Sequence, residues 1–248
     1  MVNEPHCLHD IIQEGGKSRI TRGFVKGLAK QFNVQFDKAL DIFSSNVGRN
    51  FTERQAYGLF TLALDKIENM TEKSKLQYVI TEFPLNRGRG DEEKIGRLDY
   101  LVNYNNVIYA IELKLAYAGL GGGNKGGGKR LRNTWAGSDG VVQQLININT
   151  EEPPFTVFGN ITIVKLPVLI VCYYRLSNNN SGAENIGDAE IDIATQDVYK
   201  NISNKTDGES WEPLFVLVSK VGDYARETGD DRHIIIHGLG FFAGADGI

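Results

Sequence analysis

Two cysteines, Cys7 and Cys172, are all that the 248 residues contain. They cannot build a disulfide framework or a zinc knuckle, and the expectation is a cytosolic protein with reduced thiols. Long apolar runs are missing as well. The longest, 166–174, holds Pro167 and falls short of the roughly 18 residues of a membrane span. The N-terminal sequence MVNEPHCLHD has no basic stretch followed by an apolar one, so no secretory signal is expected. Positive charge is not in excess. A net charge of −4 argues against a protein that coats nucleic acid non-specifically, but it allows a local basic patch. With 41% apolar and 23% charged residues, global disorder is excluded.

Residues 1–45 carry helical periodicity, with Leu8, Ile11 and Ile12 on one face, then Phe24 and Leu28, then Phe36, Leu40 and Phe43. The polar stretch 44–50 reads as a turn. It divides an N-terminal helical segment, 1–50, from a main domain, 51–248. Thr52 and Gln55 form a capping box, and Ala56, Leu59, Phe60, Ala63, Leu64 and Ile67 continue it as an amphipathic helix. The period then shortens to strands at 78–85, 97–104 and 107–115. Residues 119–128 are almost all glycine and predict no regular structure. A short helix near 141–148 follows, then strands near 161–165 and 166–175, a polar loop at 178–187, and further strands near 214–219 and 233–237. The order predicts an α/β domain with a central mixed sheet.

The segment 97–114 is the most informative. Asn105-Asn106 suits a two-residue turn, because asparagine tolerates the positive φ of such hairpins. With that turn closing the hairpin, Tyr104 pairs with Val107, Tyr100 with Ile111, and Asp99 stands opposite Glu112. Opposed strand side chains have Cβ atoms about 4.5–5.5 Å apart, and like charges there are destabilising. By strand alternation Ala110, Glu112 and Lys114 share one face, and Val107, Tyr109, Ile111 and Leu113 the apolar other. Two carboxylates and a lysine are thus brought together. An oxygen-liganded divalent cation would offset the repulsion, with Mg²⁺ the natural choice. The competing reading is a solvated strand face with a surface ion pair.

Asp99, twelve intervening residues, and then Glu112-Leu113-Lys114 at the end of an apolar strand resemble the PD-(D/E)XK nuclease superfamily. A helix precedes the three strands, and another bearing Gln143-Gln144 follows. The resemblance covers roughly residues 52–175 and departs at Leu98, where the name-giving proline would stand. It implies a restriction-endonuclease-like αβββαβ core, with N-terminal helices and additional C-terminal strands outside it. It also implies metal-dependent phosphodiester hydrolysis. Asp99 and Glu112 would hold Mg²⁺, with Mn²⁺ able to substitute, and Lys114 would orient water or stabilise phosphate charge. A glutamate on the first helix, here Glu53, would reach the metal, and a glutamine on the following helix, Gln144 or Gln143, would assist. Glu82 is a second candidate to complete the metal site.

Basic residues flank these carboxylates. Arg87 and Arg89 sit among glycines between the first two strands, and Lys125, Lys129, Arg130 and Arg132 follow the E-x-K strand with no acid between them. They are the expected nucleic-acid-binding residues, since glycine lets backbone amides approach phosphate closely. The run 123–130 nearly spells a phosphate-binding P-loop but has Arg130 where a hydroxyl should stand, and no apolar helix follows. Trp135 is either a base-stacking residue or a buried anchor. His6, Cys7 and His9 lack a second ligand pair for zinc, and His233 and His237 are expected on a strand's polar side. The chain is thus expected to be a Mg²⁺-dependent nuclease acting on nucleic acid, DNA before RNA, with no membrane partner. Monomer and homodimer both stay open. The alternatives are an inactive nuclease-fold binding or assembly module, and an interaction protein with no nucleic-acid role.

Overall fold

Strand pairing organises the chain. The computed structural model describes residues 6–10, 16–45, 51–67, 76–86, 95–120, 127–151, 153–178, 186–203, 213–228 and 232–245. Its elements are β1 (His6–Asp10), α1 (Gly16–Ser45), α2 (Glu53–Ile67), β2 (Leu76–Asn86), β3 (Ile95–Tyr104), β4 (Val107–Gly119), α3 (Gly127–Ala136), α4 (Val141–Ile146), β5 (Thr162–Asn178), α5 (Asp188–Ser203), β6 (Phe215–Thr228) and β7 (Arg232–Ala243). Seven strands form one mixed sheet in the order β1-β6-β7-β5-β4-β3-β2. β4 and β5 run parallel, and the other neighbours are antiparallel. The α/β class and central mixed sheet agree with expectation, and 53–178 runs helix, three strands, helices, strand.

Helices cover both faces. Phe24, Leu28, Phe32 and Phe36 of α1 and Phe60 and Leu64 of α2 join Tyr109, Ile111, Leu166 and Val168 in one buried cluster. On the other face α3 contributes Leu131 and Trp135, and α5 contributes Ile191, Val198 and Ile202, against Leu169, Val171 and Tyr173. A third cluster sets Leu145 of α4 and Phe155 over Leu101, Ile108 and Ala110. Parallel strands buried on both faces read as apolar runs rather than alternating ones. For this reason β4 is buried at every residue from Val107 to Leu113.

Several expectations need correction. Leu8 lies in strand β1, paired with β6, rather than in a helix; an edge strand of five residues is too short to show its own period. Ile11 and Ile12, the boundary 46–50, and the basic positions Arg87, Arg89 and Lys125 lie outside the described residues. The two strands expected at 161–175 are the single strand β5. Pro167 is tolerated because its carbonyl faces Gly244, which donates at 3.1 Å. A strand residue's N–H points the same way as its carbonyl, here toward the end of the β5–β7 ladder, so the missing donor removes no β4 bond. The run after the glycines forms helix α3, nucleated by Leu131 and Trp135 one turn apart and both buried. Helix α5 has no counterpart among the expected elements. His237 is buried, not on a polar face. Among the described residues no helix is long and apolar enough to cross a membrane.

Candidate metal and phosphate site

The Asn105-Asn106 turn has φ of 51° and 59°, the doubly positive geometry that matches strand twist. It fixes the register as expected: Tyr104 pairs with Val107 and Tyr100 with Ile111. There the β3–β4 ladder ends, one pair short of the expected strand pairing of Asp99 with Glu112. β3 continues alongside β2, with Leu98 opposite Phe83 and Arg97 opposite Pro84, while β4 continues alongside β5 to Gly119. The sheet forks, and Asp99 and Glu112 are the first residues inside the fork.

The Glu112 carboxyl lies close enough to Asp99 to lower its pKa. Two carboxylates brought together away from bulk water repel unless one takes up a proton or a positive charge stands beside them. Glu112 is 1% exposed and so does not lie on a solvated strand face, whereas Asp99 and Lys114 are half-buried. Asp99 Oδ2 accepts the Leu113 amide at 2.8 Å and the Tyr57 hydroxyl at 2.9 Å. Burial raises the Asp99 pKa above the ordinary carboxylate value, while the Leu113 amide, Tyr57, Glu112 and the Lys114 charge pull against that rise. Burial and the neighbouring Asp99 carboxyl push Tyr57 upward too, so it stays a donor.

Helix α2 places its first turn over the fork. The capping box forms as expected: Gln55 N–H donates to Thr52 Oγ1 at 3.3 Å, and Thr52 N–H donates to Gln55 Oε1 at 2.7 Å. Tyr117 of β4 ties this turn to the sheet by donating to the Phe51 carbonyl. Glu53 thereby meets Lys114, whose Nζ donates to Glu53 Oε1 at 3.2 Å. One turn on, Tyr57 reaches Asp99. Sequence reasoning passes over Tyr57, although its i+4 spacing from Glu53 places both on one helix face.

An open cleft of about 580 Å³ adjoins Lys114, lined also by Glu53, Lys129, Arg130, Asn133 and Asp139. Lys129 and Arg130, expected on a loop, stand on the first turns of α3 and are exposed. Arg132 is half-buried on the same helix. Gln144 donates to the Asp139 carbonyl at 3.1 Å and Gln143 to Asn147 Oδ1 at 3.4 Å, so both amides engage their own helix and its entry loop. Glu82 pairs with Arg97 at 2.6 Å on the surface. The structure thus sets Asp99 beside Glu112 and Lys114 beside Glu53, lines the cleft with Lys114, Glu53, Lys129 and Arg130 but not with Asp99 or Glu112, and draws Glu82 and Gln144 into local pairings.

Among the described residues no group of three or more His, Cys, Asp or Glu side chains is spaced to hold a metal ion. The Asp99–Glu112 pair nonetheless suits Mg²⁺, which retains several waters and binds protein through one or two carboxylates plus substrate phosphate. No family model, curated protein or solved structure matches the chain.

Proposed function

We propose that this protein is a metal-dependent nuclease that hydrolyses phosphodiester bonds in nucleic acid, DNA before RNA. The observation that carries the reading is the juxtaposition of half-buried Asp99 and buried Glu112 at the sheet fork, with Lys114 two residues beyond Glu112. Two carboxylates so placed both stay charged only with a compensating positive partner. Asp99 and Glu112 would hold Mg²⁺ or Mn²⁺. When bound, such an ion lowers the pKa of a coordinated water and stabilises charge on the scissile phosphate.

The chain's own residues supply the remainder. Glu53 holds the Lys114 ammonium at 3.2 Å in the lining of the cleft, where it can meet a phosphate oxygen or orient the attacking water. Lys129 and Arg130 line the same cleft and favour entry of the polyanion, placing its backbone against Lys114. The acidic balance of the chain as a whole favours attraction that is local to such a basic patch.

The test is incubation of single- and double-stranded DNA and RNA with the wild type in Mg²⁺, Mn²⁺ or EDTA. Cleavage should require the metal and fall to background in Asp99→Ala, Glu112→Ala and Lys114→Ala. Full cleavage in EDTA, or by the Lys114 variant, overturns the mechanism. Salt-dependent binding without cleavage in any metal would instead favour a nuclease-fold binding module.

A further inference from the structure

Asp99 Oδ2 is gripped from two sides by donors on separate elements: the Leu113 amide of β4 at 2.8 Å and the Tyr57 hydroxyl of α2 at 2.9 Å. A carboxylate held by one donor can swing about that contact; two donors from separate elements fix its rotamer. Tyr57 is itself fixed. Its ring stacks on Tyr100 with centroids 6.0 Å apart, and the Tyr100 hydroxyl donates to the Tyr57 carbonyl at 2.8 Å. The same Tyr57 hydroxyl stands 3.1 Å from the Leu113 carbonyl, so it spans both strands at the fork.

We infer that Tyr57 is a positioning residue for cation binding, holding the Asp99 carboxyl against Glu112 so that the two acids present a preset pair. This inference rests on the metal-dependent reading above. Tyr57 lies outside the ligand pair and acts through Asp99. Donors of this kind orient a ligating carboxylate, and their removal typically lowers metal affinity about 10–100-fold. The hydroxyl is the active part; the ring only carries it.

The experiment is calorimetric titration of Mn²⁺ into wild type, Tyr57→Phe and Thr61→Val, without nucleic acid. Tyr57→Phe keeps the stack on Tyr100 and loses the hydroxyl. Thr61→Val removes a hydroxyl that donates to the Tyr57 carbonyl at 3.0 Å and stands 3.3 Å from the Tyr100 hydroxyl, so it perturbs the mounting of Tyr57 and leaves the hydroxyl on Asp99 in place. The expected result is a Mn²⁺ Kd raised about 10–100-fold in Tyr57→Phe and unchanged in Thr61→Val. Equal Kd values for wild type and Tyr57→Phe overturn the inference and leave the metal-dependent reading standing. Equal weakening in both variants also overturns it, since that is general loosening of α2. Failure of the wild type to bind Mn²⁺ overturns the inference and the reading together.

Discussion

The Asp99 carboxylate accepts the Leu113 amide at 2.8 Å at the point where β3 leaves β4. A side chain thereby takes over from the backbone ladder, whose last pair is Tyr100 with Ile111. An inserted acid can do this at no loss of hydrogen bonding, because the amide it takes has no strand partner on that side. The arrangement satisfies Leu113 and sets buried Glu112 beside a second carboxyl.

That asymmetry predicts the behaviour of Asp99→Asn. The asparagine oxygen can accept from Leu113 and Tyr57 as before, while its amide donates to Glu112. The variant should stabilise the metal-free protein by about 0.2–1 kcal/mol, the scale of like charges facing each other between strands. It should also forgo most of the stabilisation that excess Mg²⁺ gives the wild type, about 2.7 kcal/mol at 100 times Kd. Thermal melts of both proteins in EDTA and in Mg²⁺ check this. A variant destabilised in EDTA that still gains fully from Mg²⁺ sinks the paired-carboxylate site.

The same pair predicts a pH dependence. Burial raises Asp99 above its ordinary value of 3.8, so the folded state keeps a proton that the unfolded chain has released. Between those two values the native state binds more protons, and its stability falls as pH rises. The contribution is full below about 3.8 and gone above the folded value. Urea denaturation in EDTA across this range should show Asp99→Asn gaining on the wild type as pH rises. A constant difference between the two proteins would remove Asp99 as the titrating group.

The basic side of the cleft predicts a salt effect. Lys129→Ala with Arg130→Ala should weaken nucleic-acid binding and flatten its dependence on salt. The logarithmic slope should change by about 0.7–0.9 for each phosphate that the variant no longer neutralises. Both side chains are exposed, so the melting temperature should hardly move. Titrations of labelled DNA at several salt concentrations measure the slope; an unchanged value means that α3 does not face the substrate.

What is legible in the sequence follows from how far each signal reaches. The Asn105-Asn106 turn fixes the register by arithmetic as far as Tyr100 and Ile111, but the fork beyond that pair, where Asp99 turns its carboxylate onto the Leu113 amide, is not written in the turn. Thr52 and Gln55 announce the start of α2 for the same local reason. Tyr57 is not legible, because which face of α2 meets the fork depends on how the helix docks on β4. Helix α5 escapes because Thr195 interrupts the apolar stripe of Ile191, Val198 and Ile202; buried in the fold, Thr195 satisfies its hydroxyl on the Ile191 carbonyl at 2.8 Å. Strand β1 escapes because its pairing with β6 reaches across the chain, and no local period records such a partner.

Glu82 carries the last prediction. It lies within β2, between Thr81 and Phe83, whose partners Tyr100 and Leu98 flank Asp99. Its φ is +51°, a left-handed conformation that costs a side-chain-bearing residue about 1–2 kcal/mol. In an ordinary strand, glycine is about 0.5–1 kcal/mol less stable than alanine. At position 82 the order should reverse, because glycine escapes the left-handed penalty. Glu82→Gly and Glu82→Ala both remove the exposed pair with Arg97, worth about 0–1 kcal/mol, so that effect cancels between them. Glu82→Gly should therefore exceed Glu82→Ala by about 0.5–1 kcal/mol in urea denaturation. Because the Glu82 carboxylate is turned onto Arg97, both variants should bind Mn²⁺ as the wild type does. Alanine more stable than glycine would mean an extended backbone at 82, and an abolished Mn²⁺ site would return Glu82 to the ligands.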